Sequence, residues 1–108
     1  MAIVAVSIAP IGEGPSVGKY VAEALRVARA QERVRVKLDS MFTTLEGEID
    51  AVFALIREMQ EAVFAAGAVR VSTVIKIDER RDRAVSMEDK VREVERRLAQ
   101  EASPRDRS

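Results

Sequence analysis

The run from Ala2 to Ala9 constrains the fold more than any other part of the sequence. Every residue in it except Ser7 is apolar, and several are β-branched. Such a run is typical of a strand buried on both faces at the centre of a sheet. It has no basic leader and is far shorter than the roughly 20 residues of a membrane span, so it predicts neither a signal peptide nor a transmembrane helix.

Six further elements follow from the spacing of the apolar residues, which is helical in three segments and alternating in three. In chain order they are a helix 17–31 capped by Ser16, strands 33–39 and 42–47, a helix from Ile49 to a stop at Gly67, a strand 68–78, and a helix opened by a capping box of Ser86 and Asp89. This order predicts an α+β fold, the ferredoxin-like βαββαβ sandwich with an additional C-terminal helix. We expect one domain, residues 1–102, and a disordered tail, residues 103–108.

Alternation along the strands assigns their side chains to the two faces of the sheet, of which the helices cover only one. Predicted to point toward the helices are Val34, Val36, Leu38, Leu45, Val69, Val71, Ile75 and Ile77. The other face, called the uncovered face below, receives Ile3, Ala5, Ser7, Ala9, Arg33, Arg35, Lys37, Phe42, Thr44, Glu46, Arg70, Ser72, Val74 and Lys76. Its centre is apolar, and a bare apolar patch needs a partner, so we expect a homodimer that packs sheet against sheet.

The residue inventory excludes much of enzyme chemistry. The chain has no His and no Cys, so it cannot offer a common zinc site, a thiol nucleophile or an imidazole base. Its 18 basic residues balance its 18 acidic ones, which gives no bulk attraction to nucleic acid or to an anionic membrane. We therefore expect a cytoplasmic protein that is not an enzyme, that binds neither nucleic acid nor membrane, and that holds no metal or cofactor.

The stretch Ile11–Val21, IGEGPSVGKYV, has the outline of a phosphate-binding loop but not its chemistry. Such a loop needs Gly, four residues, then Gly-Lys-Ser/Thr, because backbone amides cradle the phosphates and the hydroxyl holds magnesium. Here Glu13 stands in place of the first Gly, Tyr20 replaces the Ser or Thr, and Pro15 lacks an amide. The stretch is therefore interpreted as a turn between strand and helix.

The stretch Ile77–Arg83, IDERRDR, places acidic and basic residues together at a strand end. We interpret it as a solvated loop in which Asp78 or Asp82 pairs with a neighbouring Arg. An arginine cluster that binds phosphate is the less favoured interpretation.

Four residues of the uncovered face form the candidate site. Phe42, Thr44 and Glu46 alternate along one central strand, with Ser7 beside them, so a ring, two hydroxyls and a carboxylate share a small area. A carboxylate there needs a cation or a donor. Two interpretations stay open. Glu46 pairs with Lys37 or Arg35 across the hairpin, or the four residues line a pocket for a small cationic or amine-bearing ring compound.

Segments covering about Ile3 to Val94 resemble the YkoF-like thiamine-binding protein family. They are SIAPIGEGPSVGKYVAEAL, SMFTTLEGEIDAVFALIREM and RVSTVIKIDERRDRAVSMEDKVREVE. The most specific pieces of the resemblance are Pro-Ile-Gly at Pro10 to Gly12, then Thr43, Glu46 and Gly47, and finally Ile77, Asp78, Arg80 and Arg81.

The resemblance implies a ferredoxin-like fold, sheet-packed dimers that can pair into tetramers, and non-catalytic binding of thiamine or its hydroxymethylpyrimidine moiety. In that case Glu46 would accept a hydrogen bond from the amino group of the ligand or pair with its cationic group. Thr44 and Ser7 would hydrogen-bond the pyrimidine, and Phe42 would stack on it. The alternative is a structural or interaction module whose uncovered face serves only homo-oligomerisation. An RNA-binding sheet is disfavoured, because Phe42 is the only aromatic residue on the uncovered face.

Overall fold

The computed structural model of the protein describes residues 1–101. Seven elements follow one another: β1 (Ala2–Pro10), α1 (Gly18–Arg29), β2 (Arg35–Leu38), β3 (Thr43–Gly47), α2 (Ile49–Ala65), β4 (Val71–Glu79) and α3 (Met87–Glu101). The predicted order of elements is confirmed. The predicted tail, residues 103–108, lies outside the described residues.

The four strands form one antiparallel sheet in the order β2-β3-β1-β4. β1 pairs with β3 on one side, Val4 opposite Leu45, and with β4 on the other, Val4 opposite Ile77. β1 is thus a central strand, as predicted. With α1 and α2 packed on one face, the fold is the α+β ferredoxin-like sandwich, and α3 is the additional C-terminal helix.

The core lies between the sheet and the two packed helices. Alternate residues of β1 are buried and join Leu45 of β3 and the apolar stripe of α2. The buried residues of these three elements are Ala2, Val4, Val6, Ile8, Leu45, Val52, Leu55, Ile56, Met59 and Val63. Burial of β1 on both faces was a wrong expectation. Ile3, Ala5, Ser7 and Ala9 stay partly exposed, because neither α1 nor α2 covers their face.

Two of the three predicted helix signals are confirmed. Gly67 follows α2 with a φ of +116°, a conformation that glycine adopts without strain, and its amide bonds the carbonyl of Phe64 at 3.0 Å. Ser86 and Asp89 form the predicted capping box, with amide-to-side-chain distances of 3.0 and 3.1 Å. The cap at Ser16 was wrong: Val17 is the N-cap of α1, and no side chain caps it.

β4 departs most from expectation. It begins at Val71, and Val69, predicted to face the helices, is 87% exposed. Ile75 and Ile77 lie opposite Val6 and Val4 and so share their face, yet both are more than a third exposed. The reason is position, since β4 is an edge strand that α2 covers only in part.

α3, the last element that the structure describes, lies mostly outside the core. Met87 at its start is buried, whereas Val91, Val94 and Leu98, one to three turns later, are each more than half exposed. The molecule is correspondingly elongated, with extents of 59 × 32 × 19 Å. Within residues 1–101 no helix is both long and apolar enough to cross a membrane.

Candidate functional site

Glu46 lies in β3 on the uncovered face, opposite Ile3 of β1 and Arg35 of β2. Only 4% of its side chain is exposed, and both carboxylate oxygens accept hydrogen bonds. Nη1 of Arg35 donates to Oε2 at 2.7 Å, and the backbone amide of Met87 donates to Oε1 at 2.6 Å. Cross-strand pairing of Glu46 is thus confirmed with Arg35, and not with Lys37.

The partners of Glu46 extend this contact into a junction between the sheet and α3. Arg35 also forms an ion pair with Glu88, and this guanidinium lowers the pKa of Glu88 to about 2. On the other side Lys90 pairs with Asp78 of β4 and lowers the pKa of that carboxyl. Glu46 itself places a negative charge at the N-terminal end of α3, where the helix dipole favours an anion. These contacts fasten the first turn of α3 to the uncovered face.

The other three predicted site residues lie further along the same face. Thr44 is half-buried between Ala5 of β1 and Lys37 of β2. The β1–β3 ladder ends one step on, at the pair Val6–Thr43, while β1 continues to Pro10 with β4 alone. Ser7 and Phe42 come directly after that last pair, so the structure brings these two together where β3 begins.

A cavity of about 280 Å³ opens at this point, between the β2–β3 hairpin, β1, α1 and α2, and its apolar lining includes core residues on the helix side of the sheet. Phe42 and the apolar side chains of Leu25 and Met59 contribute to its wall. Its polar groups come from Ser7, Asp39, Ser40 and Thr43. Beyond Val6, β1 has no partner strand on the side of β3. Alternate backbone amides and carbonyls of this part of β1 are therefore not paired with β3 where the cavity opens. The cavity therefore combines an aromatic surface with donors and acceptors.

Asp39 is a cavity residue that the sequence argument missed, because it was expected to be the last residue of a strand 33–39, whereas β2 ends at Leu38. Its amide donates to the carbonyl of Phe42 at 3.0 Å and closes the hairpin, while its Oδ1 accepts from the amide of Ser40 at 2.8 Å. This holds an exposed carboxylate at the mouth of the cavity. Only the strand bounds, which place residues 39–42 in the hairpin turn, reveal it.

The four predicted residues thus divide between two ends of β3. Phe42 and Glu46 are four residues apart, which is about 13 Å along a strand. Ser7 and Phe42 border the cavity, Thr44 lies between, and the carboxylate of Glu46 is engaged by Arg35 and Met87. Among residues 1–101 no three acidic side chains are grouped to hold a metal ion.

The charged stretch after β4 forms local ion pairs, as predicted. Arg80 donates two hydrogen bonds to Asp82, at 2.5 and 2.8 Å, and lowers the pKa of that carboxyl to about 2. Its guanidinium is therefore committed to a neighbour two residues away.

The fold and the cavity define a small α+β ferredoxin-like domain with a ring-sized pocket at one end of its sheet. The family described as "Thiamine-binding protein" matches residues 4–95, and the chain belongs to this family. It is 41% identical over 102 residues to the UPF0045 protein YqgV of Bacillus subtilis, covering 91% of this chain and 98% of that one. It is 45% identical over 97 residues to a UPF0045 protein of Mycobacterium tuberculosis, covering 89% and 93%.

Solved structures agree with this fold. The hypothetical protein MJ1052 of Methanocaldococcus jannaschii superposes with a TM-score of 0.80 and 34% identity, over 87% of this chain and 95% of that one. A Thermotoga maritima protein assigned provisionally to thiamine biosynthesis or salvage superposes with a TM-score of 0.74 over 86% and 97% of the two chains. At 18% identity, the second likeness concerns the fold alone.

Proposed function

We propose that this protein binds thiamine or its hydroxymethylpyrimidine moiety in the cytoplasm and does not transform it. Membership of the thiamine-binding protein family supports the ligand class. The observation that carries the proposal is the cavity beside Phe42, which offers an aromatic surface, hydroxyls and a carboxylate within about 280 Å³. Pockets for drug-sized ligands occupy roughly 300 to 1,000 Å³, so this one suits a single ring better than a whole thiamine.

In this proposal the aminopyrimidine enters the cavity and the thiazolium stays at its mouth. The pyrimidine stacks on Phe42, and the hydroxyls of Ser7 and Thr43 hydrogen-bond its ring nitrogens. Asp39 accepts from the exocyclic amine or faces the cationic thiazolium, the stronger kind of hydrogen bond because one partner is charged.

Thr44 and Glu46 take a second place in the proposed site. Thr44 follows the cavity residue Thr43 along β3 but lies on the uncovered face, so it is available only to a ligand that extends from the cavity over that face. Glu46 reaches a ligand only by giving up Arg35 or the amide of Met87. We therefore expect ligand affinity to depend more on Asp39 than on Glu46, the residue to which the sequence argument assigned the role of acceptor.

Calorimetric titration with thiamine, hydroxymethylpyrimidine and thiamine phosphate tests the proposal. Saturable binding of thiamine near one ligand per chain is expected, with hydroxymethylpyrimidine retaining much of the affinity. Asp39→Asn should weaken binding by about 1 to 3 kcal/mol, the range for a hydrogen bond to a charged group.

Substitutions at two further carboxylates distinguish a site at the cavity from a site at the junction with α3. Glu32→Gln changes an exposed carboxylate outside the cavity and is the matched control, expected to leave affinity unchanged. Glu46→Gln should weaken binding less than Asp39→Asn. A larger loss at Glu46 than at Asp39 would move the site to the junction with α3, and no heat with any of the three compounds would refute the proposed function.

A second candidate function is an assembly module, which is supported by a different observation. Val74 on the uncovered face and Val91, Val94 and Leu98 of α3 are each more than half exposed. Apolar surface of this kind marks interaction sites. Absence of binding to all three compounds, together with stable self-association, would favour this function over the first.

A further inference from the structure

A second concave surface adjoins the cavity beside Phe42. It lies between α1 and Leu38, the last residue of β2, has a volume of about 590 Å³, and is called the α1 groove below. Val21, Leu25 and Leu38 border both the cavity and the α1 groove. A ligand held in the cavity can therefore extend across these three side chains into the groove.

The α1 groove carries charge of one sign. Among residues 1–101, its lining contains two charged side chains, those of Arg26 and Arg29, and no carboxylate. The rest of the lining consists of glycine, alanine, valine and leucine residues. The groove therefore offers apolar surface and two guanidinium groups to a ligand, which is a combination that suits an apolar or aromatic body with an anionic end.

Both arginines are available to an anion. Arg29 is exposed, and among the acidic residues that the structure describes none has a carboxylate oxygen within 4.0 Å of its guanidinium. Arg26 pairs with Glu23 at 3.2 Å, but both side chains are exposed, and such a pair contributes little to stability. Helical side chains lean toward the N-terminus of their helix, which directs Arg29 back over the turn of Leu25, toward the cavity.

The charges along this surface follow one order. The cavity offers Phe42 and hydroxyls, Asp39 places a carboxylate directly after Leu38, and Arg29 lies about one turn of α1, roughly 5.4 Å, beyond Leu25. The order is a ring pocket, a negative charge and a positive charge. A phosphate ester of thiamine has the complementary order, since its aminopyrimidine is followed by a cationic thiazolium and then by an anionic phosphate on a two-carbon arm. Unphosphorylated thiamine has only a hydroxyl at that end.

We propose that the α1 groove binds the phosphate of a thiamine phosphate ester, and that the site prefers this ester to thiamine. The proposal rests on the proposed function, because the pyrimidine must occupy the cavity. Arg29 donates a forked pair of hydrogen bonds to the phosphate oxygens, and Arg26 supplies a second positive charge. The thiazolium lies between the two ends, against Leu25 and Leu38. The ester thus fills both the cavity, which holds one ring, and the adjoining groove.

The affinity ratio of thiamine phosphate to thiamine, measured by calorimetric titration of the full chain, tests this proposal. We expect the ester to bind about tenfold more tightly, because its phosphate forms charged hydrogen bonds that the hydroxyl of thiamine cannot form. Binding of both compounds with equal affinity would overturn the proposal and leave the proposed function intact. Binding of neither compound would refute both.

Inorganic phosphate shows whether the anion binds as part of the ester. It should bind at least about a hundredfold more weakly than thiamine phosphate, because it gains nothing from the cavity. An affinity of inorganic phosphate comparable to that of the ester would indicate an anion site unconnected with the cavity, and would overturn the proposal.

Substitution of Arg29 tests which residue holds the phosphate. Arg29→Gln should bring the affinity ratio close to one, whereas Arg29→Lys should retain part of the preference, because lysine keeps the charge but not the forked geometry. Arg57→Gln changes an exposed arginine of α2 outside the cavity and the α1 groove, and this control should keep the ratio of the parent chain. An unchanged ratio in Arg29→Gln would mean that Arg29 serves only the C-terminal end of α1, and would overturn the assignment.

An added carboxylate tests the position of the groove without removing an arginine. Ala22 is exposed on α1 and lines the α1 groove. Ala22→Glu should bring the affinity ratio to one or below, because the new carboxylate repels the phosphate and lies four residues before Arg26, with which it can pair. Ala54→Glu adds the same charge to an exposed position of α2 outside the groove and is the matched control. Equal ratios in these two variants would place the phosphate elsewhere and overturn the proposal.

Discussion

β1 and β4 are strands of equal length, paired along their whole course, and yet they differ sharply in burial. Val4 and Val6 of β1 are 0 and 2% exposed, whereas Ile77 and Ile75, directly opposite them, are 42 and 37% exposed. The residues are alike in hydrophobicity and share one face. Neighbours account for the difference, because β1 has a strand on each side and two helices above it, while β4 lies at the edge. The interior side of the domain is complete, and the β4–α3 side is not.

Truncation of one core residue and one edge residue should show the largest difference in stability between the two sides of the domain. Leu45→Ala removes a fully buried side chain and should lower the free energy of unfolding by about 2 to 5 kcal/mol. Ile77→Ala should cost about 1 kcal/mol or less in dilute solution, because water already reaches much of the side chain. Urea denaturation measures both, and similar costs would mean that β4 is far better buried than its exposure indicates.

Glu46→Gln should release α3 without disturbing the core. Loss of the charged hydrogen bonds to Arg35 and to the amide of Met87 should cost about 1 to 3 kcal/mol. The loss should appear as faster hydrogen exchange in residues 88–101, with the amides of β1 unaffected. If the β1 amides exchange faster by the same factor, the junction belongs to the folding core and the two regions are one unit.

Removal of the capping box should have a smaller effect on the same helix. Ser86→Ala takes away the hydroxyl that accepts from the amide of Asp89, and such a change typically costs about 1 kcal/mol. We expect lower helix content by far-ultraviolet circular dichroism, confined to α3. A helix content equal to that of the parent would show that the contacts of Glu46, Glu88 and Lys90 hold the first turn without this hydroxyl.

Acidification should destabilise α3 less than any of the substitutions above. Because Arg35 lowers the pKa of Glu88 from 4.5 to about 2, the stability from this pair is complete above pH 4.5 and is lost as the pH falls toward 2. The pair is exposed, so the change is modest. Hydrogen exchange of α3 from pH 5 to pH 2, corrected for the intrinsic rate, should show it. Glu88→Gln should remove that part of the pH dependence.

Local signals in the sequence predicted much of the fold. The apolar run of β1 indicated a central strand, Gly67 ended α2, and Ser86 with Asp89 began α3, because each signal acts within a few residues. Ser16 failed as a cap since α1 begins two residues later, at Gly18. Val69 failed because β4 begins only at Val71.

The candidate site was less predictable than the fold. Alternation placed Phe42, Thr44 and Glu46 on one face, but it could not show that β3 begins at Thr43, which opens the cavity beside Ser7. Nor could it show that the amide of Met87, 41 residues away, would take the second oxygen of Glu46. Both facts depend on where distant elements end, and no local pattern records that.

The bond from Met87 to Glu46 also sets an order of events during synthesis. A chain emerges from the ribosome from its N-terminus, and domains fold as their parts become available. Every strand of the sheet is present once Glu79 has emerged, whereas the partner that fastens α3 arrives eight residues later and carries the exposed stripe behind it. The sheet can therefore close before the exposed apolar stripe of α3 emerges. Unpaired strands of the nascent chain then do not contact that stripe.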